Sequence, residues 1–158
     1  MFKSILGRLF WTYAIILMLV FTSVAVTVGI FVNHFAISTH MNNVISVSQN
    51  LEYWTGSLQI EDTDYRARAA YKQLLRSWGS FLNSDIIVTN SNGEVLESTT
   101  SSATVPDELV HIVTNGNIVK KYSTLNGSYK NKMMVIGVPI KYQGGIVGAS
   151  FYVTGIFD

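Results

Sequence analysis

The sequence predicts an α+β chain: a membrane-length helix that runs on into a small domain of helices and five strands. Three observations predict it. Residues 10–32, "FWTYAIILMLVFTSVAVTVGIFV", carry no formal charge over 23 positions. Residues 30–55 contain neither Gly nor Pro, so nothing local requires the helix to stop where the apolar run ends. From residue 85 onward, short apolar runs are punctuated by Asn-Gly and Gly-Gly pairs, the signature of strands joined by tight turns.

The apolar run comes first in the chain. A bilayer core asks for about 20 apolar residues in a helix. Trp11 and Tyr13 suit the headgroup boundary at its entry. Lys3 and Arg8 precede the run, and no Lys or Arg follows before Arg66. The excess of positive charge on the cytoplasmic side of membrane helices then predicts three regions. Residues 1–9 are cytoplasmic, 10–32 span the membrane, and 33–158 form an extracytoplasmic domain. The rival is a cleaved signal peptide ending at "SVA", residues 23–25. Its apolar stretch should be about 7–15 residues, shorter than this one, so the run reads as an uncleaved anchor in the cell membrane.

Past the span, Ile37, Met41, Val44, Ser48, Leu51, Thr55 and Leu58 recur in alternating steps of four and three. This is a heptad stripe with two polar interruptions, and it predicts one helix reaching to about Gly56. Two partners fit the stripe. Ile37, Met41, Val44, Leu51 and Leu58 form a dimer and signalling seam against a second copy, or the stripe packs on the chain's own sheet. A second helix is expected to begin in the acidic stretch 61–64, where carboxylates suit a helix N-terminus. Its inner face is Ala67, Tyr71, Leu74, Leu75 and Trp78, and Gly79 is its expected stop.

The strands follow. "DIIVTNSNGEVLEST" is a hairpin about Asn92-Gly93, and "PDELVHIV" is a short helix with Pro106 in its first position. "NIVKKYST" is a third strand and "KMMVIGVPI" a fourth, with Met134, Ile136, Val138 and Ile140 on one side. "GIVGASFYVT" is the fifth, with Val147, Ala149, Phe151 and Val153 sharing a face. Pro139 lacks a donor and belongs at an edge, an end or a bulge. Gly137 and Gly148 leave room for a helix or loop to come close.

Chemistry is excluded more than indicated. A net charge of +1 calls for no nucleic acid. The absence of cysteine rules out disulfides, a thiol nucleophile and thiolate-bound metal. His34 and His40 are six apart and face different sides of a helix, and His111 stands alone, so no metal site is expected. No phosphate loop follows the Gly144 turn, and no nucleophile elbow occurs. The segment is read as having no catalytic residues and no cofactor.

Two motifs carry a resemblance. Asn90-Ser91-Asn92-Gly93-Glu94-Val95, and Val138-Pro139-Ile140 through the Gly144 turn to Gly148, resemble the extracytoplasmic PAS-like (single Cache) sensor domains of bacterial membrane sensor histidine kinases. The resemblance implies a five-stranded antiparallel sheet with the long N-terminal helices on one face. It implies a homodimer and a small-molecule or protein stimulus. It also implies a continuation not present here: a second span, a cytoplasmic relay, a kinase core and a response regulator as partner. On that reading the chain is an excerpt, the sensing region of a two-component receptor. Such domains bind small molecules between sheet and flanking loops, and Arg76, Lys120, Tyr122 and Tyr142 are the polar groups expected to line that cup. The same type of domain resembles the outer parts of chemoreceptors. The alternative is a membrane-anchored interaction domain with no kinase output.

Overall fold

A computed structural model describes residues 5–60, 65–101 and 103–155. It divides into two units, residues 1–40 and 41–158. Helix α1 (Ile5–Ile60) contributes to both. In the first unit, Gly7–Val32 is long and apolar enough to cross a membrane, with a mean hydropathy of 2.7 and none of it buried. Thr12, Thr22 and Thr27 each donate to the carbonyl four residues back at 2.8 Å. These three threonine hydroxyls thus need no partner from an apolar solvent.

The second unit holds the rest of α1, then α2 (Tyr65–Leu82), β1 (Asp85–Asn90), β2 (Val95–Ser98), α3 (Asp107–Thr114), β3 (Val119–Ser123), β4 (Met133–Tyr142) and β5 (Gly145–Thr154). The strands form one sheet in the order β2-β1-β5-β4-β3. Every neighbouring pair is antiparallel, as the resemblance implied. The β1–β2 turn is set by Asn90, whose side-chain oxygen accepts from the Asn92 and Glu94 amides at 3.0 and 2.9 Å. Gly93 supplies the positive φ of 88° that the turn requires.

Period-two alternation sends the strand side chains to two cores. Ile86, Val88, Met134, Ile136, Val138, Ile140 and Tyr152 meet Val44, Val47 and Leu51 of α1 and Tyr71 and Leu75 of α2. Ile87, Val135, Ala149, Phe151 and Val153 meet Leu109, Val110 and Val113 of α3, together with Val105 and Leu125 from the loops. The expected face of β4 is therefore the one observed. On β5 the expected set breaks at Val147, which packs on the α1/α2 side while Ala149, Phe151 and Val153 face α3. A bulge is the cause. Ile140 pairs with Gly148 but Lys141 pairs with Ile146, which leaves Val147 as an extra residue and resets the alternation.

Pro139 sits in an interior strand, at a place where its missing donor costs nothing. On one side it pairs with Ala149 of β5, and on the other β3 ends its pairing at Gly137. Gly137 admits α3 as anticipated: a β-carbon there would lie 2.7 Å from Val113 Cγ2 and 2.9 Å from Phe151 Cε1. Gly148 serves a different neighbour, because a β-carbon there would collide with the Thr89 carbonyl of β1.

Both helix ends differ from expectation. α1 passes Gly56 and ends at Ile60. α2 passes Gly79 and ends at Leu82. The left-handed residue that stops α2 is Asn83, at φ 48°, and the Ser84 amide returns to the Gly79 carbonyl at 2.9 Å. Gly79 is needed for that return, since a β-carbon on it would stand 2.9 Å from the Ser84 carbonyl oxygen. The expected start of α2 at 61–64 lies outside the described residues.

The heptad stripe goes to the chain's own sheet. Val44 and Leu51 are fully buried in the α1/α2 core and Met41 packs against it, so over these turns they are not open to a second copy as a dimer seam would be. The sheet offers an apolar surface at the right spacing within the same chain. Burial there needs no association entropy. The side chains of Ile37 and Leu58 lie outside the described residues.

Candidate functional site

The four residues expected to line a ligand cup are not brought together. Lys120 and Tyr122 are exposed on the edge strand β3. As register partners of Ile136 and Met134 they stand on the α1/α2 side, away from α3. Lys121, between them, pairs with Glu108 of α3 at 3.0 Å. Tyr142 lies at the end of β4 with its ring against Gly56, where any β-carbon would collide with it. Arg76 is exposed on α2. On the α3 side of the sheet the space is filled by Val105, Leu109, Val110, Val113 and Leu125.

Two arrangements remain that can do something. The first is a polar seam within the α1/α2 core. Ser48 and Ser150 are buried and bond each other at 3.2 Å, and Ser150 Oγ donates to the Val138 carbonyl at 3.3 Å. Thr55 and the Tyr71 hydroxyl are 2.6 Å apart, and burial pushes that phenol well above its ordinary range. The Tyr152 hydroxyl is buried and makes no hydrogen bond of normal geometry. Burial pushes its pKa up to about 12, although the Ser150 and Ser48 hydroxyls beside it work the other way. Glu52 Oε1 accepts from the Lys141 amide at 3.4 Å. These bonds join α1 to α2, β4 and β5, and directional bonds fix register in a way that apolar contact does not. The two polar interruptions of the heptad stripe are thus its anchoring points, Ser48 on β5 and Thr55 on α2. Further down α1, burial lowers the His40 pKa.

The second is a groove of about 400 Å³ where α2 ends, β1 begins and β5 ends. Arg76 and Ser80 line it from α2, Asn83 from the turn that ends that helix, Asp85 from β1, Thr99 from the loop after β2, and Met133 from the start of β4. Tyr129 donates to Asp85 Oδ2 at 2.8 Å. Burial, then that bond and the carboxylate charge, push the Tyr129 phenol well above its ordinary range. Sequence reading found Arg76 and missed Asp85, which looked like no more than the first residue of a strand. Its signal was a lone carboxylate opening an otherwise apolar run. Among the described residues no group of three or more His, Cys, Asp or Glu could hold a metal ion.

No family model matches the chain, and no curated protein matches it in sequence. Solved structures match in fold. The Vibrio cholerae histidine kinase DctB sensor domain superposes with a TM-score of 0.52 at 11% identity, over 75% of this chain and 51% of that one. The ligand-binding domain of the Campylobacter jejuni chemoreceptor Tlp3, solved with 4-methylisoleucine, gives 0.50 at 17% identity, over 74% and 53%. The chain thus spans about half the length of each. The likeness is one of fold: the five-stranded antiparallel sheet and its helices are what this chain shares with these two domains.

Proposed function

We propose that the chain is the extracytoplasmic sensing region of a membrane-bound two-component histidine kinase, with its N-terminus in the cytoplasm and its sheet domain outside. It works as a homodimer, answers a small molecule or a protein, and reports through kinase domains to a response regulator. One observation carries the reading: α1 holds the apolar span at one end, and at the other it is keyed to a sensor-type sheet by Ser48, Leu51 and Gly56 and to α2 by Thr55. A stimulus that favours one packing of the sheet on α1 over another biases the helix by its differential affinity. Helix shifts of about 1–2 Å at interfaces are a known switching mode. The fold neighbours support sensing, since one is a kinase sensor domain and the other a chemoreceptor ligand-binding domain.

The chain has no cysteine, so single cysteines can be placed freely. In intact cells a membrane-impermeant maleimide should label Ser91→Cys in the exposed β1–β2 turn, and Ser4→Cys only after lysis. The reverse pattern overturns the topology. Joined through a second span to a kinase core, residues 1–158 should pass a Gly56→Ala change into an altered autophosphorylation rate. An unchanged rate would favour the anchored interaction domain instead.

A further inference from the structure

Three Asn-Gly pairs close turns in the sheet domain: Asn92-Gly93, Asn115-Gly116 and Asn126-Gly127. In sequence they are alike, and the structure separates them. The Gly93 amide donates to the Asn90 carbonyl at 3.2 Å, and the Gly116 amide donates to the Val113 carbonyl at 2.9 Å. Each of these glycines is the fourth residue of its turn and supplies the amide that closes it. The third turn runs from Leu125 to Ser128, whose amide donates to the Leu125 carbonyl at 3.0 Å. Asn126 and Gly127 are therefore its central residues, with φ positive at both, 54° and 84°, as in a type I′ turn. The amide of a third turn residue takes no part in the closing bond, and among the described residues the Gly127 amide makes no hydrogen bond. Asn126 and Gly127 are exposed. A β-carbon on Gly93 would touch Val110 at 3.4 Å and one on Gly116 would touch Ile146 at 3.6 Å, whereas one on Gly127 would meet nothing within 4 Å.

We infer that Asn126 is a site of spontaneous covalent modification, deamidation to aspartate and isoaspartate, and that the fold protects Asn92 and Asn115 from the same reaction. The nucleophile is the amide of the following residue. The Gly127 nitrogen loses its proton to hydroxide and attacks Asn126 Cγ. The Cγ–Nδ2 bond breaks, and the leaving nitrogen takes a proton from water and departs as ammonia. What remains is a cyclic succinimide, which a second water opens. Attack at Cγ restores the main chain and leaves an aspartate. Attack at the former main-chain carbonyl carbon leaves the chain running through Cγ, an isoaspartate with a free α-carboxylate. No oxidant or cofactor enters. Glycine favours the cyclisation because no side chain stands beside the attacking nitrogen. An amide already held by a carbonyl must first give up that bond, and this restrains Gly93 and Gly116 but not Gly127. Conversion adds one negative charge, which takes the formal net charge from +1 to 0. An isoaspartate also lengthens the main chain between two anchored residues. Leu125 is fully buried on the α3 side, and Ser128 Oγ accepts from the Thr104 amide at 3.2 Å. The inference goes beyond the sensing reading and does not rest on it.

The test is incubation of the full chain in lipid nanodiscs at mildly alkaline pH, followed by peptide mapping in a mass spectrometer. An isoaspartyl O-methyltransferase labels the isoaspartate formed. Asn126 should convert at least about threefold faster than Asn92 or Asn115, a factor within the range of one net backbone hydrogen bond. In urea all three glycine amides are released to solvent, and the three rates should draw together. Equal rates in the folded chain overturn the inference, as does faster conversion at Asn92 or Asn115. An Asn126 that stays intact in the folded chain overturns it as well. A gap that persists undiminished in urea does the same, because local sequence rather than the fold would then set the order. Each readout uses the unaltered chain, so no variant has to fold.

Discussion

The two faces of the sheet are covered by helices to similar completeness but in different materials. On the α3 side the fully buried contacts are Val, Leu, Ile, Ala and Phe, with Tyr129 and Met133 at the margin, pressed so close that Gly137 has no room for a β-carbon. On the α1/α2 side the apolar residues are threaded with hydroxyls: Ser48, Thr55, Tyr71, Ser150 and Tyr152. A dry, close-packed face has one low-energy arrangement and resists deformation. A face held by a few directional bonds has a defined register and can be re-registered by exchanging partners. On the proposed sensing reading, the difference makes the first side the frame and the second the moving contact. The moving one carries the helix that holds the apolar span.

The largest test of that contrast is Phe151→Ala on the frame side. It should cost about 3–5 kcal/mol in urea unfolding followed by tryptophan fluorescence, as large-to-small changes in tight cores do. A loss below about 1 kcal/mol would mean that the α3 face is loose and the contrast false.

Next is Gly56→Ala on the moving side. The new methyl collides with the Tyr142 ring and should cost about 1–3 kcal/mol. Tyr142→Ala should recover most of that cost in the double variant. Without recovery, the clash is not the cause.

Tyr71→Phe and Tyr152→Phe remove the same atom from two buried rings and should differ. The first strands the Thr55 hydroxyl and should cost about 1–3 kcal/mol, whereas the second deletes a hydroxyl with no normal bond and should be neutral or mildly stabilising. Their pH dependence sharpens the point. The folded-state pKa of Tyr152, about 12, exceeds the ordinary 10, so the fold favours the neutral phenol. That stabilisation is complete below pH 10 and is lost as pH rises from 10 to 12. Tyr152→Phe should flatten part of the fall in unfolding midpoint over that window.

The smallest effect belongs to the surface pair Lys72–Glu97, 3.1 Å apart with the lysine about half exposed. Lys72→Ala should cost under about 1 kcal/mol and less in high salt, because solvent screens such pairs. A larger loss would place electrostatics, not packing, in charge of how α2 sits on β2.

Much of the fold could be read in advance because it depends on local pattern. The apolar run, the turn at Asn92-Gly93, the β4 alternation and the five-strand count all follow from side-chain period and turn chemistry. The errors share one cause, which is that a contact outside the side-chain pattern decided. Gly79 looked like a stop, but it lies inside α2 because Ser84 folds back on it. Val147 changed faces because β4 and β5 slip by a residue at Lys141. The candidate groove was legible only at Arg76, since Asp85, nine residues on, reaches it through strand placement.

By itself the sequence determined that a charge-free span leads into a helix with a heptad stripe, and that alternating strands follow. Those are properties of neighbouring residues, expressed wherever the segment sits. Only the tertiary structure decided what the stripe meets. A stripe of Val44, Ser48, Leu51 and Thr55 specifies a half-apolar groove with two hydrogen bonds to offer, and that description fits a second helix as well as a sheet. The sheet and α2 prevailed because Ser150 of β5 and Tyr71 of α2 stand where Ser48 and Thr55 need them, with Val138, Ile140 and Tyr152 closing the apolar gaps between.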